Sequence, residues 1–551
     1  MLITEDQLKS LILKNKILDE KKLGEIVESA KNSKADLVSV LIEKDIVTDE
    51  NLGVLTADFL KIPFIILSKI SIPEDVFRIV PERIARKQKV VPFARDANGI
   101  KLAMANPKNT EIIEFLTKKT GEKITPYIST ERDIDNVLFI YRRELQQTFN
   151  ELLEKKSTSA TEIVDLIINY SYEDKASDVH IEPEEKNTLI RFRLDGVLHD
   201  ILVLPKSLHD QIVTRIKVLS RLRTDEHLSP QDGKLRAKLP EEDLDIRVSI
   251  VPIVEGEKIV LRLLSSHFRQ FSLVDLGMSE KDLDIVTKGF KKSYGMVLST
   301  GPTGSGKTTT IYAILKILNT RNVNITTIED PVEYRIQGLN QIQTNTKTNL
   351  TFASGLRSIL RQDPNIVFVG EIRDSETAGI AVNAALTGHL VLSTLHTNDA
   401  ATALPRLTDM KVEPFLVAST VNVIIAQRLV RKICEMCKTS VNITQSELSK
   451  NIPIETIKKH FESSKDIRIY KGAGCKVCHN SGYSGRVGLF EVLEVSPEIK
   501  KLIIEKTDSD VITKEAISEG MTTMLDEGLE KVKKSTTTLE EVLRVTKVES
   551  L

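Results

Sequence analysis

Eight consecutive residues have the types and spacing of a phosphate-binding loop. The run from Gly301 to Thr308 reads Gly-Pro-Thr-Gly-Ser-Gly-Lys-Thr. Its glycines let backbone N–H groups wrap phosphate oxygens closely at the start of a helix. Lys307 is then expected to reach the outer phosphates of ATP, and the Thr308 hydroxyl to bind Mg²⁺. The predicted contacts of this loop are Gly301, Pro302, Thr303, Gly304, Ser305, Gly306, Lys307, Thr308 and Thr309.

The elements around the loop fit that chemistry. An apolar strand-like run, Met296-Val297-Leu298, precedes it, and a helix-like stretch rich in Thr, Ile, Ala and Leu follows it. A strand, a glycine-rich loop and a helix are the context in which the spacing has a mechanism. This context counts against the alternative that the match arose by chance.

Two further apolar runs end in carboxylates, at residues 325–330 and 366–371. In an open α/β sheet, ligands collect at the edge where parallel strands end. We therefore expect Glu329 and Asp330 to contact the nucleotide, and Glu371 to hold Mg²⁺ through its bound water. An acidic strand end is often only a solvated loop. Two of them behind one P-loop favour hydrolysis of ATP over binding alone.

All four cysteines lie in two Cys-x-x-Cys pairs within 45 residues of one another, and we predict that together they bind Zn²⁺. Four thiolates complete a tetrahedral shell with no open position, which indicates a structural site. The alternatives are redox-active dithiols and unrelated buried thiols. The predicted ligands are Cys434, Cys437, Cys475 and Cys478.

Composition restricts the class of protein. The 551 residues are 41% hydrophobic and 28% charged, with a net charge of −1, which argues against a dedicated nucleic-acid binder. The apolar runs are shorter than the roughly 18 residues needed to cross a bilayer. The start lacks the pattern of a signal peptide. We therefore expect a cytoplasmic protein whose membrane association, if any, is peripheral.

The chain is long enough for several domains. Its pattern predicts an α/β multidomain protein, since short apolar runs separated by helical stretches follow residue 271. The predicted units are an N-terminal docking domain (1–145, a helical bundle and then α+β), a linker (146–159), a second α+β domain (160–265) and an ATPase domain (266–551) that includes a cysteine insert (431–480) and a helical tail (498–551).

Several long motifs in order resemble the secretion ATPase superfamily. They include GPTGSGKTTT, ITTIEDPVEY, LRSILRQDPNIVFVGEIRD and TGHLVLSTLHTNDA, and the match extends over residues 160–546. Within that superfamily the chain is similar to the ATPases of type IV pilus assembly and type II secretion. The resemblance implies a RecA-like core behind a PAS-like domain. It also implies a homohexamer and an inner-membrane platform protein as partner.

The resemblance also assigns roles to individual residues. Glu333 is implied to polarise the attacking water and Glu371 to hold the Mg²⁺ hydration shell, although the two could exchange these tasks. Other implied members of the site have plainer alternatives, because a lone histidine is often structural and arginines often form surface ion pairs. They are His389 and His396 near the γ-phosphate, Arg357 and Arg361 reaching a neighbouring subunit's nucleotide, and Arg193 closing in from the second domain.

Two features of the chain bear on the choice among related functions. The cysteine insert and the long N-terminal extension favour assembly of a pilus over retraction, with type II secretion as the alternative. A DNA-transfer motor and a non-catalytic nucleotide-binding scaffold are less favoured. Some relatives bind cyclic di-GMP near their N-terminus through arginine and glycine. The corresponding stretches here, 6–12 and 35–41, lack both residues. We therefore predict that cyclic di-GMP is not a ligand.

Overall fold

The structure is a computed structural model. It describes residues 3–15, 17–33, 37–43, 46–47, 49–70, 72–138, 159–239, 242–264, 272–461 and 466–546. Apart from Ser159, the predicted linker 146–159 lies outside these ranges. None of the described helices is long and apolar enough to span a membrane.

The N-terminal region has two hydrophobic cores in succession, as the helical and mixed patterns predict. The first is formed by short amphipathic helices, and the second packs helices on a three-stranded sheet in the order β1-β2-β3. The helices are Glu5–Lys14, Glu20–Ser33, Leu37–Glu43, Asp49–Leu60, Glu74–Phe77, Glu82–Gln88, Thr110–Thr120 and Glu131–Val137, and the strands are β1 (Val90–Asp96), β2 (Gly99–Met104) and β3 (Ile124–Ile128).

The second region is an antiparallel sheet of six strands in the order β6-β5-β4-β9-β8-β7. Two helices, Ala160–Glu173 and His209–Leu219, share its hydrophobic core. Residues alternate between buried and less buried along β8, so Arg247 lies on the face opposite the core residues Ile246 and Val248. The strands are β4 (Asp178–Pro183), β5 (Asn187–Leu194), β6 (Val197–Pro205), β7 (Gln231–Lys238), β8 (Asp243–Ile253) and β9 (Gly256–Leu264).

The third region contains a seven-stranded sheet in the order β12-β11-β13-β14-β10-β15-β18. Its strands are parallel except β18, which pairs antiparallel with β15. Every residue of β10, β11, β13 and β14 is buried, because separate cores cover the two faces of the sheet. The strands are β10 (Gly295–Thr300), β11 (Ile325–Glu329), β12 (Asn340–Gln343), β13 (Ile366–Val369), β14 (Leu390–Leu395), β15 (Val421–Ile433) and β18 (Tyr483–Glu494).

Helices surround this sheet and continue into the tail. The sheet's own helices are Glu280–Phe290, Lys307–Leu318, Phe352–Ile359, Ser375–Leu386, Ala403–Asp409 and Pro414–Thr420. The cysteine insert adds a two-stranded sheet of β16 (Lys438–Thr444) and β17 (Asp466–Gly472), with helices Gln445–Leu448 and Ile454–His460. The tail helices are Pro497–Ile504, Ser509–Ser518, Met524–Lys533 and Leu539–Thr546.

Candidate nucleotide site and metal centre

The P-loop joins β10 to the helix Lys307–Leu318, in the strand–loop–helix order that the sequence predicts. Gly301 and Gly306 have φ angles of 146° and 91°, a region that residues with a Cβ rarely adopt. A Cβ on Gly301 would also lie 2.5 Å from the Gln427 carbonyl oxygen. Both glycines are therefore required for the backbone to fold back over the strand end.

Lys307 points back into the loop. Its ammonium group donates to the carbonyl oxygens of Gly301 at 2.8 Å and Pro302 at 3.1 Å. These oxygens stand in for phosphate oxygens, which present the same kind of acceptor. Burial lowers the pKa of the Lys307 ammonium, and the nearby charge of Glu371 opposes that shift. An incoming polyphosphate would replace two neutral acceptors by charged ones, which form stronger hydrogen bonds.

Gln427 braces the loop from β15 and is not among the residues predicted from the sequence. The side chain is 2% exposed, donates to the Ser305 carbonyl oxygen at 2.7 Å and accepts from the Ser299 hydroxyl at 3.3 Å. It thus ties the middle of the P-loop to the strand that precedes it. A polar residue inside the apolar run that forms β15 is the signal that could have identified it.

Glu371 follows β13 and lies beside an arginine and a histidine. Its carboxylate is 2.7 Å from Arg373 Nε and 3.3 Å from His396 Nε2. His396 follows β14, and β13 and β14 are parallel neighbours, so both residues reach the same sheet edge as the P-loop. The structure therefore brings together Lys307, Glu371 and His396 at one edge of the sheet, and their roles with a nucleotide stay predictions.

Glu333 lies at the boundary between the second and third regions. One of its carboxylate oxygens is 3.3 Å from Arg247 Nη1, and Arg247 also donates to the Val332 carbonyl oxygen at 3.0 Å. Arg193, the arginine that the sequence predicts to close in from the second region, bonds within its own region in this arrangement, to the Gly196 carbonyl oxygen at 2.9 Å and to Asp178 at 3.6 Å. Its contribution of positive charge to the site when the two regions close stays a prediction.

Glu329 is occupied by a buried hydrogen-bond network rather than turned toward a ligand. Its carboxylate accepts from the Tyr312 and Thr327 hydroxyls and, at 3.3 Å, from the Gln341 amide. Burial raises the pKa of the Glu329 carboxyl. The predicted nucleotide contact of Glu329 is not made in this arrangement. The residue instead holds Tyr312, whose hydroxyl accepts from the Glu333 backbone N–H at 3.4 Å. Asp330 follows it and is exposed.

His389 lies at the wrong end of its strand for the predicted role. β10 and β14 run parallel with Gly295 beside Leu390 and Thr300 beside Leu395. His389 precedes β14, so it is separated from the P-loop edge by the length of the strand, about 17 Å. Its ring bonds the Ala384 carbonyl oxygen at 3.0 Å. The structure thus corrects the placement of His389 near the γ-phosphate.

Arg357 and Arg361 do not complete the site within one chain. Arg357 pairs with Glu376 at 2.5 Å, and Arg361 contacts the Ser358 hydroxyl at 3.2 Å. Among the hydrogen bonds of the described residues, neither arginine reaches the P-loop. Both are exposed, so their proposed contact with a neighbouring subunit stays a prediction.

The four cysteines converge as predicted. Their sulfur atoms all lie within 4.8 Å of one another, with separations of 3.9 Å (Cys434–Cys475), 3.8 Å (Cys437–Cys478) and 3.7 Å (Cys475–Cys478). Sulfurs that bind one zinc ion tetrahedrally at about 2.3 Å lie about 3.8 Å apart. The Gly482 backbone N–H donates to the Cys478 sulfur at 3.2 Å, an interaction that favours the thiolate. The cluster fits Zn²⁺ in size and ligand type.

Comparison with known families shows to which family the chain belongs. The family model described as type II/IV secretion system protein matches residues 153–544. The chain belongs to this family. A second family model, for the MshEN domain, matches residues 60–141. That match lies outside both stretches that we compared with cyclic di-GMP motifs, so the prediction about this ligand stays a prediction.

Family members of both named kinds are similar to the chain. The type IV pilus assembly ATPase PilB of Myxococcus xanthus is 35% identical to this chain over 562 residues. The alignment covers 98% of this chain and 98% of PilB. The type II secretion system protein E of Pseudomonas aeruginosa is 42% identical over 406 residues, or 74% of this chain and 79% of that protein. The structure of the Legionella pneumophila ATPase DotB shares the fold, with a TM-score of 0.53 and 21% identity over 70% of this chain and 96% of DotB.

Proposed function

We propose that this family member hydrolyses ATP at the P-loop and uses the energy to assemble type IV pili. The share of the chain that aligns with each kind of relative favours pilus assembly over type II secretion. The pilus assembly ATPases of Myxococcus xanthus and Pseudomonas aeruginosa align with 98% and 96% of the chain, N-terminal region included. The type II secretion relative from Pseudomonas aeruginosa aligns with 74%. Type II secretion is the second candidate, because identity within the shared region is higher there, at 42%.

The chemistry assigns each side chain a task. The P-loop N–H groups and Lys307 bind the phosphates, and the Thr308 hydroxyl is suited to Mg²⁺. Mg²⁺ supplies positive charge that offsets the charge developing on the transferred phosphoryl group. In this proposal Glu371 holds the ion's water ligands, and Glu333 orients the attacking water. Neither carboxylate has to be a strong base, because positioning supplies most of the catalysis in phosphoryl transfer.

The exchange of roles between the two carboxylates stays open, and one contact favours our assignment. Glu333 is bound to Arg247 of the second, PAS-like region, so its position changes when that region moves. Glu371 is attached to the sheet itself. A water-positioning residue that depends on the second region would allow hydrolysis only in one arrangement of the two regions, which is a property expected of a motor.

The working unit in this proposal is a homohexamer of RecA-like cores at the cytoplasmic face of the inner membrane. Arg357 and Arg361 are exposed and away from the P-loop of their own chain, as expected if they contribute to a neighbour's site. A closed ring supplies such contacts to every subunit. Its partner would be an inner-membrane platform protein, contacted peripherally. In the same proposal Zn²⁺ is structural, and nucleic acid is not a partner because the net charge is −1.

Deletion of the chain's gene, followed by complementation, tests the proposal. We expect surface pili to disappear while the secretion of folded exoproteins continues. Wild-type chain should restore the pili, and Lys307→Ala should not. Loss of exoprotein secretion with normal pili would overturn the choice of process in favour of type II secretion. Stimulation of ATP turnover by DNA at physiological salt would instead favour a DNA-transfer motor.

A further inference from the structure

A cavity opens beside Glu371, and none of the described residues that line it belongs to the P-loop. It has a volume of about 400 Å³ and is lined by Ile372, Arg373, His396, Arg406 and Met410. Ile372 and Met410 are buried and form apolar walls, whereas both arginines are exposed at its mouth. A cavity of this size holds far more than one water, whose share of liquid volume is about 30 Å³.

The polar side chains that line this cavity are basic. Arg373 and Arg406 are permanently charged, and His396 can add a third positive charge. The Glu371 carboxylate contacts two of these three side chains, at 2.7 Å from Arg373 and 3.3 Å from His396. Arg406 has no ion pair within 4.0 Å among the residues that the structure describes. Among the ion pairs of the described residues, the charge of Arg406 at this cavity is therefore not compensated.

Glu371 also connects the cavity to the nucleotide site. Its charge acts on the ammonium group of Lys307 in the P-loop. If Glu371 held the water ligands of Mg²⁺, as proposed, Arg373 and His396 would lose their anionic partner. The uncompensated positive charge would then be largest with ATP and Mg²⁺ bound, just before hydrolysis would produce an anion beside the cavity.

We propose that this cavity binds the inorganic phosphate that is released from ATP, between Arg373 and Arg406, while ADP is still held by the P-loop. The planar guanidinium group donates two parallel hydrogen bonds to a tetrahedral oxyanion, so two arginines can hold one phosphate from two sides. The inference depends on the proposed ATP hydrolysis for the origin of the phosphate, but phosphate binding itself can be measured without turnover.

Titration of inorganic phosphate into the full-length chain, saturated with ADP and Mg²⁺, tests the inference by calorimetry. We expect Arg406→Gln to weaken phosphate affinity at least tenfold, with ADP affinity unchanged within twofold. Arg406→Lys should recover only part of the loss, because lysine keeps the charge without the bidentate geometry. The matched control is Arg321→Gln, which removes the same charge from an exposed residue before β11, at the opposite edge of the sheet.

Equal phosphate affinity in wild type and Arg406→Gln would overturn the inference. A changed oligomeric mass by light scattering in Arg406→Gln, with unchanged phosphate affinity, would overturn it as well and assign Arg406 to a contact between subunits. The proposed function is tested separately. Phosphate binding through Arg406 without any ATP turnover would contradict hydrolysis alone, whereas turnover with phosphate inhibition insensitive to Arg406→Gln would contradict the cavity alone.

Discussion

Gln427 offers a direct test of how the P-loop is held in shape. Its amide donates to the Ser305 carbonyl oxygen at 2.7 Å, and the side chain is 2% exposed. In Gln427→Glu the donor is replaced by a carboxylate oxygen that faces another acceptor. The loop must then move, or the introduced carboxyl must be protonated. Either change disturbs the N–H groups that are expected to bind phosphate.

The size of the effect follows from the lost hydrogen bond. A buried acceptor left without its donor costs about 1–3 kcal/mol. If the cost falls on the loop conformation that binds ATP, affinity decreases by about 5- to 150-fold. The negative charge behind the phosphate site places Gln427→Glu at the upper end. Gln427→Leu removes the donor without adding charge, so it should fall at the lower end.

The assay is equilibrium binding of a fluorescent ATP analogue in the presence of Mg²⁺. Gln362→Glu is the matched control, since it makes the same substitution at an exposed residue before β13, at the far edge of the sheet. Thermal denaturation should show that each variant is folded. The reasoning is refuted if Gln427→Glu binds the analogue within twofold of wild type, because the P-loop would then hold its shape without this brace.

Three further predictions concern the regions around the site. Arg247→Gln should lower kcat by about tenfold or more with little change in ATP affinity, because the substitution frees Glu333 from the second region. Steady-state turnover measures the first effect, and binding of the ATP analogue measures the second. Glu541→Gln should lower the free energy of unfolding by about 1.5–3 kcal/mol at pH 7, since this carboxylate, 2% exposed, bonds Arg431 and a second arginine. Burial alone would raise the pKa of the Glu541 carboxyl, but the hydrogen bonds from those arginines lower it to about 2. The stabilisation of the folded state by this carboxylate is therefore present above pH 4.5, the unfolded-state pKa, and is lost as pH falls toward 2. One zinc ion per chain should be found by elemental analysis, and Cys475→Ser should lower both the zinc content and the melting temperature.

Each of these has a clear contradictory outcome. Equal loss of ATP affinity and turnover in Arg247→Gln would assign the arginine to nucleotide binding rather than to positioning. Urea unfolding of Glu541→Gln that matches wild type at pH 7 would show that the tail does not depend on this carboxylate. A zinc content far below one per chain in protein purified without chelator would exclude the metal site, and a redox dithiol would become the better interpretation.

Local patterns predicted the parts of the site that depend on chain neighbours. The P-loop, its strand and its helix are consecutive, so residue spacing determines their geometry. The cysteine pairs converge because each pair is itself a tight turn, and two such turns need only be brought together. Glu371 and His396 lie at one edge of the sheet because each directly follows an apolar strand of the same parallel sheet.

Contacts between distant segments were not predictable in this way. Arg193 and Arg247 both lie in strands of one antiparallel sheet. Only the packing of that sheet against the ATPase region determines that Arg247 is the one that contacts Glu333. His389 was misplaced because a histidine before a strand and one after it look equally close in sequence, although the strand separates them. Glu329 ends a strand, as expected, but Tyr312, from the helix that follows the P-loop, holds its carboxylate in a buried hydrogen bond.

The central claim is that this chain hydrolyses ATP with Glu371 at the P-loop, and a single variant tests it most directly. Glu371→Gln keeps the size of the side chain and removes its charge. We expect ATP affinity to stay within about threefold of wild type while turnover falls by about 100-fold or more, the effect typical of losing one electrostatic contact to a transition state. Turnover equal to wild type would contradict the assignment of the site.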